Sequence, residues 1–107
     1  MNIPDAAYTI SSRLVRDFNA ESVWLFGSQA RGDATTDSDF DFLAVVAESN
    51  DSRYRRAVAA RTVVEDIHEP KDIIVLTRDE WNKELKVPSS LASTVMREGI
   101  LLDGSAT

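Results

Sequence analysis

Apolar residues recur every three or four positions over residues 3–18. Ile3, Ala6, Ala7, Ile10, Leu14, Val15 and Phe18 fall on one stripe, which predicts an amphipathic helix. The pattern then changes: "SVWLF", residues 22–26, is a compact apolar block rich in strand-forming types and predicts a buried strand. "GSQARG" breaks it, with a short helical turn expected from Ser28. "DFDFLAVV", residues 39–46, predicts the second strand, followed by an "ESNDS" loop. Residues 52–67 have helical spacing, with Tyr54, Ala57, Val58, Ala60, Val64 and Ile67 expected to face inward.

Pro70 closes that region, and "KDIIVL", residues 71–76, predicts a third strand. Thr77 and Glu80 have the spacing of a capping box, so a helix is expected to start there and run to about Leu85. Pro88 interrupts it. A last helix from Ser89 to Glu98 is expected to end at Gly99, before the short strand "ILL". Helices alternate with strands throughout, and no repeat, low-complexity segment or linker divides them. The expectation is a single α/β domain over residues 1–107, with a small mixed sheet flanked by helices.

Composition narrows the function classes. A chain of 107 residues, 43% apolar and 28% charged, has the make-up of a globular protein. It has no cysteine, which excludes disulfides and thiolate zinc sites and suits a reducing compartment. "MNIPDAAYTI" lacks the basic-then-apolar pattern of a secretory leader. No apolar run approaches the ~20 residues needed to span a bilayer. The expectation is therefore a cytoplasmic protein with no membrane partner. A net charge of −6 disfavours binding to long nucleic acid, which needs a basic stripe to displace counterions. The arginines of "SRYRRAVAAR" read as a solvated helix face. A single nucleotide carried with magnesium remains compatible with that charge.

The chemistry concentrates in residues 25–46, "LFGSQARGDATTDSDFDFLAVV", where Asp33, Asp37, Asp39 and Asp41 crowd ahead of a strand. Side chains alternate along a strand, so Asp39 and Asp41 project together while Phe40 and Phe42 point into the core. Two adjacent carboxylates repel, and one would take up a proton unless a cation bridged them. Magnesium suits such a place, being commonly held by one or two carboxylates plus substrate phosphates. Asp72, near the start of the third strand, reaches the same place if the two strands are neighbours. Three carboxylates at strand edges meet the needs of a two-metal phosphoryl-transfer site. Gly27 and Ser28 follow the first strand, where glycine and backbone N–H groups allow close approach of a phosphate. The loop lacks the lysine of a P-loop, which leaves Arg31 as the mobile cation.

Gly27-Ser28, ten intervening residues and then Asp39-x-Asp41 resemble the signature of the DNA polymerase β-like nucleotidyltransferases. Ala30-Arg31-Gly32, "SDFD", "KDIIVLT" and "MREGILL" resemble its small single-domain branch, the minimal nucleotidyltransferases (MNT). The likeness runs from about Val23 to Leu102. It implies transfer of a nucleoside monophosphate, AMP from ATP, to a hydroxyl. It also implies that Asp39, Asp41 and Asp72 are catalytic metal ligands and that Gly27, Ser28 and Arg31 bind the nucleotide. Position 29 is glutamine where relatives often carry arginine, which removes a charge from the triphosphate site. Many MNT proteins pair with a helical HEPN toxin and act as its antitoxin, by adenylylating a tyrosine, by binding, or both. A HEPN partner is thus the expectation here.

Other readings of the same residues are weaker. Asp37, Asp39, Asp41 and Glu48 have EF-hand spacing, but Phe42 stands where that loop needs glycine. Arg61 and His68 have the spacing of the HEPN ribonuclease motif, which belongs to an all-helical fold. Trp24 and Trp81 are expected in the core, and Tyr8 and Tyr54 in helix packing. Asp72 has Lys71 beside it in sequence, yet Lys71 should point to the opposite face. Two functional rivals follow: a non-catalytic antitoxin that occludes its partner, and a nucleotidyltransferase with a small-molecule acceptor such as an aminoglycoside.

Overall fold

The computed structural model describes residues 3–32 and 39–104 of the chain; Asp33 and Asp37 lie outside them. The first helix, α1, covers Asp5–Phe18, starting behind Pro4 and ending at Asn19 in the left-handed conformation (φ 58°). Strand β1, Ala20–Phe26, leads through Gly27 into the single turn α2, Ser28–Arg31. Strand β2 is Phe40–Val46, helix α3 is Arg53–Val63 and strand β3 is Lys71–Thr77. Helices α4, Arg78–Leu85, and α5, Leu91–Glu98, precede strand β4, Ile100–Gly104. The expected capping box forms in full at Thr77 and Glu80.

The four strands form one mixed sheet in the order β3-β2-β1-β4. β1 runs antiparallel to both β2 and β4, and β2 runs parallel to β3 with α3 as the crossover. Alternation divides the core in two. Val23, Leu25, Phe40, Phe42, Ala44, Ile73 and Val75 pack with Ile10 and Leu14 of α1 and Ala60 of α3. On the other face Trp24, Leu43, Val45 and Leu76 meet Trp81 of α4 and Ala92 and Val95 of α5. The two tryptophan rings stack with centroids 5.7 Å apart, so both indoles belong to the core.

The rotational phase of α3 differs from the expectation. Tyr54 is 78% exposed and Val58 43% exposed, while Arg56 is buried at 6%. Arg56 faces inward because its charge is matched there. Its guanidinium donates two hydrogen bonds to the Glu80 carboxylate, 2.6 and 3.1 Å, and a third to the Val75 carbonyl, 3.1 Å. The same Glu80 accepts from the Thr77 backbone N–H in the capping box, so one carboxylate ties α3 to the start of α4. Tyr8, at 48%, is likewise on the surface rather than in helix packing. Gly99 closes α5 in an extended conformation (φ −82°), and a Cβ there would lie 2.6 Å from the Val95 carbonyl oxygen.

Candidate active site

Register brings the sequence-distant carboxylates together. Along the parallel pair, Asp41 sits opposite Asp72, and along the antiparallel pair it sits opposite Phe26, the residue before Gly27. The end of β1 and the beginnings of β2 and β3 therefore meet at one edge of the sheet. Strand parity places Asp41 with Leu43 and Val45, on the side covered by α4 and α5. Phe40 and Phe42 point to the opposite side and are buried, 5.9 Å apart between ring centroids. That anchoring fixes which way Asp41 faces, because a one-residue slip would exchange the carboxylate and the phenyl rings.

Gly27 adopts φ 74° and ψ −152°, a region open essentially to glycine alone. A Cβ at this position would lie 2.3 Å from Asp41 Oδ2. The bare backbone of Gly27 thus lies against the carboxylate. Ser28 opens α2 and is half-buried, while Arg31 at the end of that turn is exposed.

The electrostatics centre on Asp41. Partial burial, then the neighbouring charges of Asp72 and Asp39, push its carboxyl above the usual range, and the Arg31 charge opposes them. Asp39 precedes β2 and is exposed, as is Asp72 on the edge strand. Among the described residues, no three His, Cys, Asp or Glu side chains converge into a ready-made metal cage. What exists is a carboxylate cluster whose negative charge nearby arginines offset only in part. It fits a cation whose remaining ligands come from elsewhere, such as substrate phosphates.

Asp72 does not pair with Lys71, whose amine donates to the backbone carbonyls of Ile67 and Glu69. Its cation is Arg61, 3.9 Å away. Sequence reasoning did not connect these two residues. The signal lay in the crossover: α3 leads directly into β3, bringing the last helical turn near the strand's start. His68 lies beyond α3 and is exposed, so the Arg61/His68 spacing belongs to a mixed α/β chain and not to an all-helical fold.

The nucleotidyltransferase domain family matches residues 8–102, and the chain belongs to that family. Solved structures narrow the likeness. A protein of Sulfolobus solfataricus assigned as a nucleotidyltransferase is 26% identical, with a TM-score of 0.62, covering 91% of this chain and 76% of that one. A toxin–antitoxin complex with AMP-PNP is 21% identical, with a TM-score of 0.60 over 92% and 74% of the two chains. An MntA–HpeT toxin–antitoxin pair carrying a tyrosine-to-alanine change is 21% identical, with a TM-score of 0.56 over 94% and 73%. At that identity the two complexes establish a common fold. The mixed four-stranded sheet flanked by helices is thus the polymerase β-like nucleotidyltransferase fold. A search of curated proteins found no match.

Proposed function

We propose that this chain is a magnesium-dependent nucleotidyltransferase that moves AMP from ATP to a hydroxyl of a partner protein. The acceptor is a tyrosine, and the partner is a HEPN-type toxin that the chain restrains. The carrying observation is Gly27 lying bare against Asp41, itself in register with Asp72. Family membership supports nucleotidyl transfer, and the fold shared with toxin–antitoxin complexes supports the partner class.

In this reading residues 1–107 form one domain working in the cytoplasm. Asp39 and Asp41 are metal ligands, and Asp72 completes a set suited to two magnesium ions. Bound magnesium would steady the phosphates and make the acceptor hydroxyl more acidic. The rest falls to the chain. Gly27 and Ser28 form the wall along which the triphosphate lies, and Arg31 supplies positive charge beside Asp41. The strand register holds Asp41 and Asp72 on one side, so the acceptor oxygen approaches from the open β3 edge. That oxygen releases its proton to solvent as it attacks the α-phosphorus, the bond from the α-phosphorus to the bridging oxygen of the β-phosphate breaks, and pyrophosphate leaves.

A second reading, restraint by binding alone, draws on the absence of a ready-made cage among the described residues. Incubation with α-labelled ATP, magnesium and the HEPN partner separates them. Label on the partner, lost in the Asp39→Asn/Asp41→Asn variant, supports transfer. Undiminished neutralisation with no label from either protein refutes it in favour of binding.

A further inference from the structure

Asp72 already has a cation beside it. Arg61, in the last turn of α3, places Nη2 3.9 Å from Asp72 Oδ1, with the two side chains 55% and 64% exposed. Arg61 has another acidic neighbour on its own course, Glu65, four residues on, and both line a hollow of about 140 Å³ with Val58 and Thr62. Glu65 lies in the turn beyond the end of α3, so the two do not form a helical pair. The guanidinium reaches across to the strand instead.

We propose that Arg61 is the resident counter-ion of Asp72, competing with a divalent metal for that carboxylate until nucleotide phosphates draw the guanidinium away. This rests on the reading of Asp41 and Asp72 as metal ligands. Without nucleotide, Asp39, Asp41 and Asp72 are offset by Arg31 and Arg61, leaving little net charge to hold a divalent ion. A triphosphate brings several negative charges, and the planar guanidinium fork suits phosphate oxygens better than a single distant carboxylate. Moving Arg61 onto the phosphates frees Asp72 at the moment the substrate arrives. Metal and nucleotide then tighten each other's binding, as linkage requires.

Manganese titration of the nucleotide-free protein, followed by electron paramagnetic resonance, tests this. An exposed ion pair shifts an equilibrium by up to about fivefold. Arg61→Gln should therefore tighten manganese binding about two- to fivefold, Arg61→Lys should stay near the parent, and Arg61→Gln should have no effect in an Asp72→Asn background. The tightening of manganese by α,β-methylene ATP should shrink in Arg61→Gln. Arg55→Gln, an exposed arginine of the same helix, controls for the general field and should change nothing. An equal gain in Arg55→Gln overturns the proposal. So does unchanged affinity in Arg61→Gln while Asp72→Asn weakens binding, an outcome that leaves the metal-ligand reading standing. Unchanged affinity in both Asp41→Asn and Asp72→Asn overturns that reading, and this inference with it.

Discussion

Replacing Gly27 by alanine puts the site's tightest contact under load. The added Cβ would meet Asp41 Oδ2 at 2.3 Å and Cγ at 3.2 Å, whereas ordinary contact begins at 3.4 Å. The carboxylate must therefore retreat by about 1 Å, a displacement that can cost ~100-fold in a reaction dependent on alignment. The backbone adds a separate cost, because φ 74° with ψ −152° disfavours any side chain by ~1–3 kcal/mol. In a domain near this size each kcal/mol lowers the melting temperature by about 4–8 °C. Gly27→Ala should thus melt lower by roughly 5–20 °C and transfer label in single turnover ~100-fold more slowly. Adding Asp41→Ala relieves the collision but not the backbone strain, so the double variant should recover part of the melting temperature and none of the transfer. If Gly27→Ala keeps both the parent's melting temperature and its rate, Gly27 is not the wall of this site.

The Asp39→Asn/Asp41→Asn variant should lose at least ~100-fold in nucleotidyl transfer while keeping its circular dichroism spectrum. Glu80 provides a pH test. The Arg56 guanidinium beside it pulls its pKa from 4.5 down to about 2, so its contribution is complete above 4.5 and fades as pH falls towards 2. With the side chain about one-third exposed, the effect is discounted to ~2 kcal/mol at neutral pH. Glu80→Gln should therefore be less stable at pH 7 and show a flatter stability profile from pH 4.5 to 2 in urea titrations. Trp81→Ala should cost ~3–5 kcal/mol by the same titration, whereas Tyr54→Ser, on the outer face of α3, should stay within about 0.5 kcal/mol.

The strands and the site edge were legible because their signals are local. A glycine after an apolar block, two aspartates two apart before phenylalanines, and a third aspartate opening another strand need only alternation to be placed. Asp41 beside Asp72 followed from neighbouring strands, which the βαβ order of β2, α3 and β3 favours. The face of α3 was not legible. Tyr54 and Val58 look like core residues and Arg56 does not, and the deciding contact is with Glu80, 24 residues away. Hydrophobic periodicity does not register a charge that enters a core with its partner. The Arg61–Asp72 approach was hidden for the same reason: it depends on how the end of α3 is set down on the sheet.

Trp24 and Trp81 are the chain's two tryptophans, and they stack on each other between β1 and α4. The layer formed by α1 and α3 has none. Tryptophan fluorescence, excited where the tyrosines Tyr8 of α1 and Tyr54 of α3 do not absorb, is therefore a one-sided gauge, sensitive to separation of α4 from the sheet and nearly blind to the other layer. Trp24 lies two residues before Phe26, the residue paired with Asp41, so this optical reporter stands on the same face as the acidic edge. Events at that edge can be followed in the unlabelled protein, with changes on the far side of the sheet contributing little to the signal.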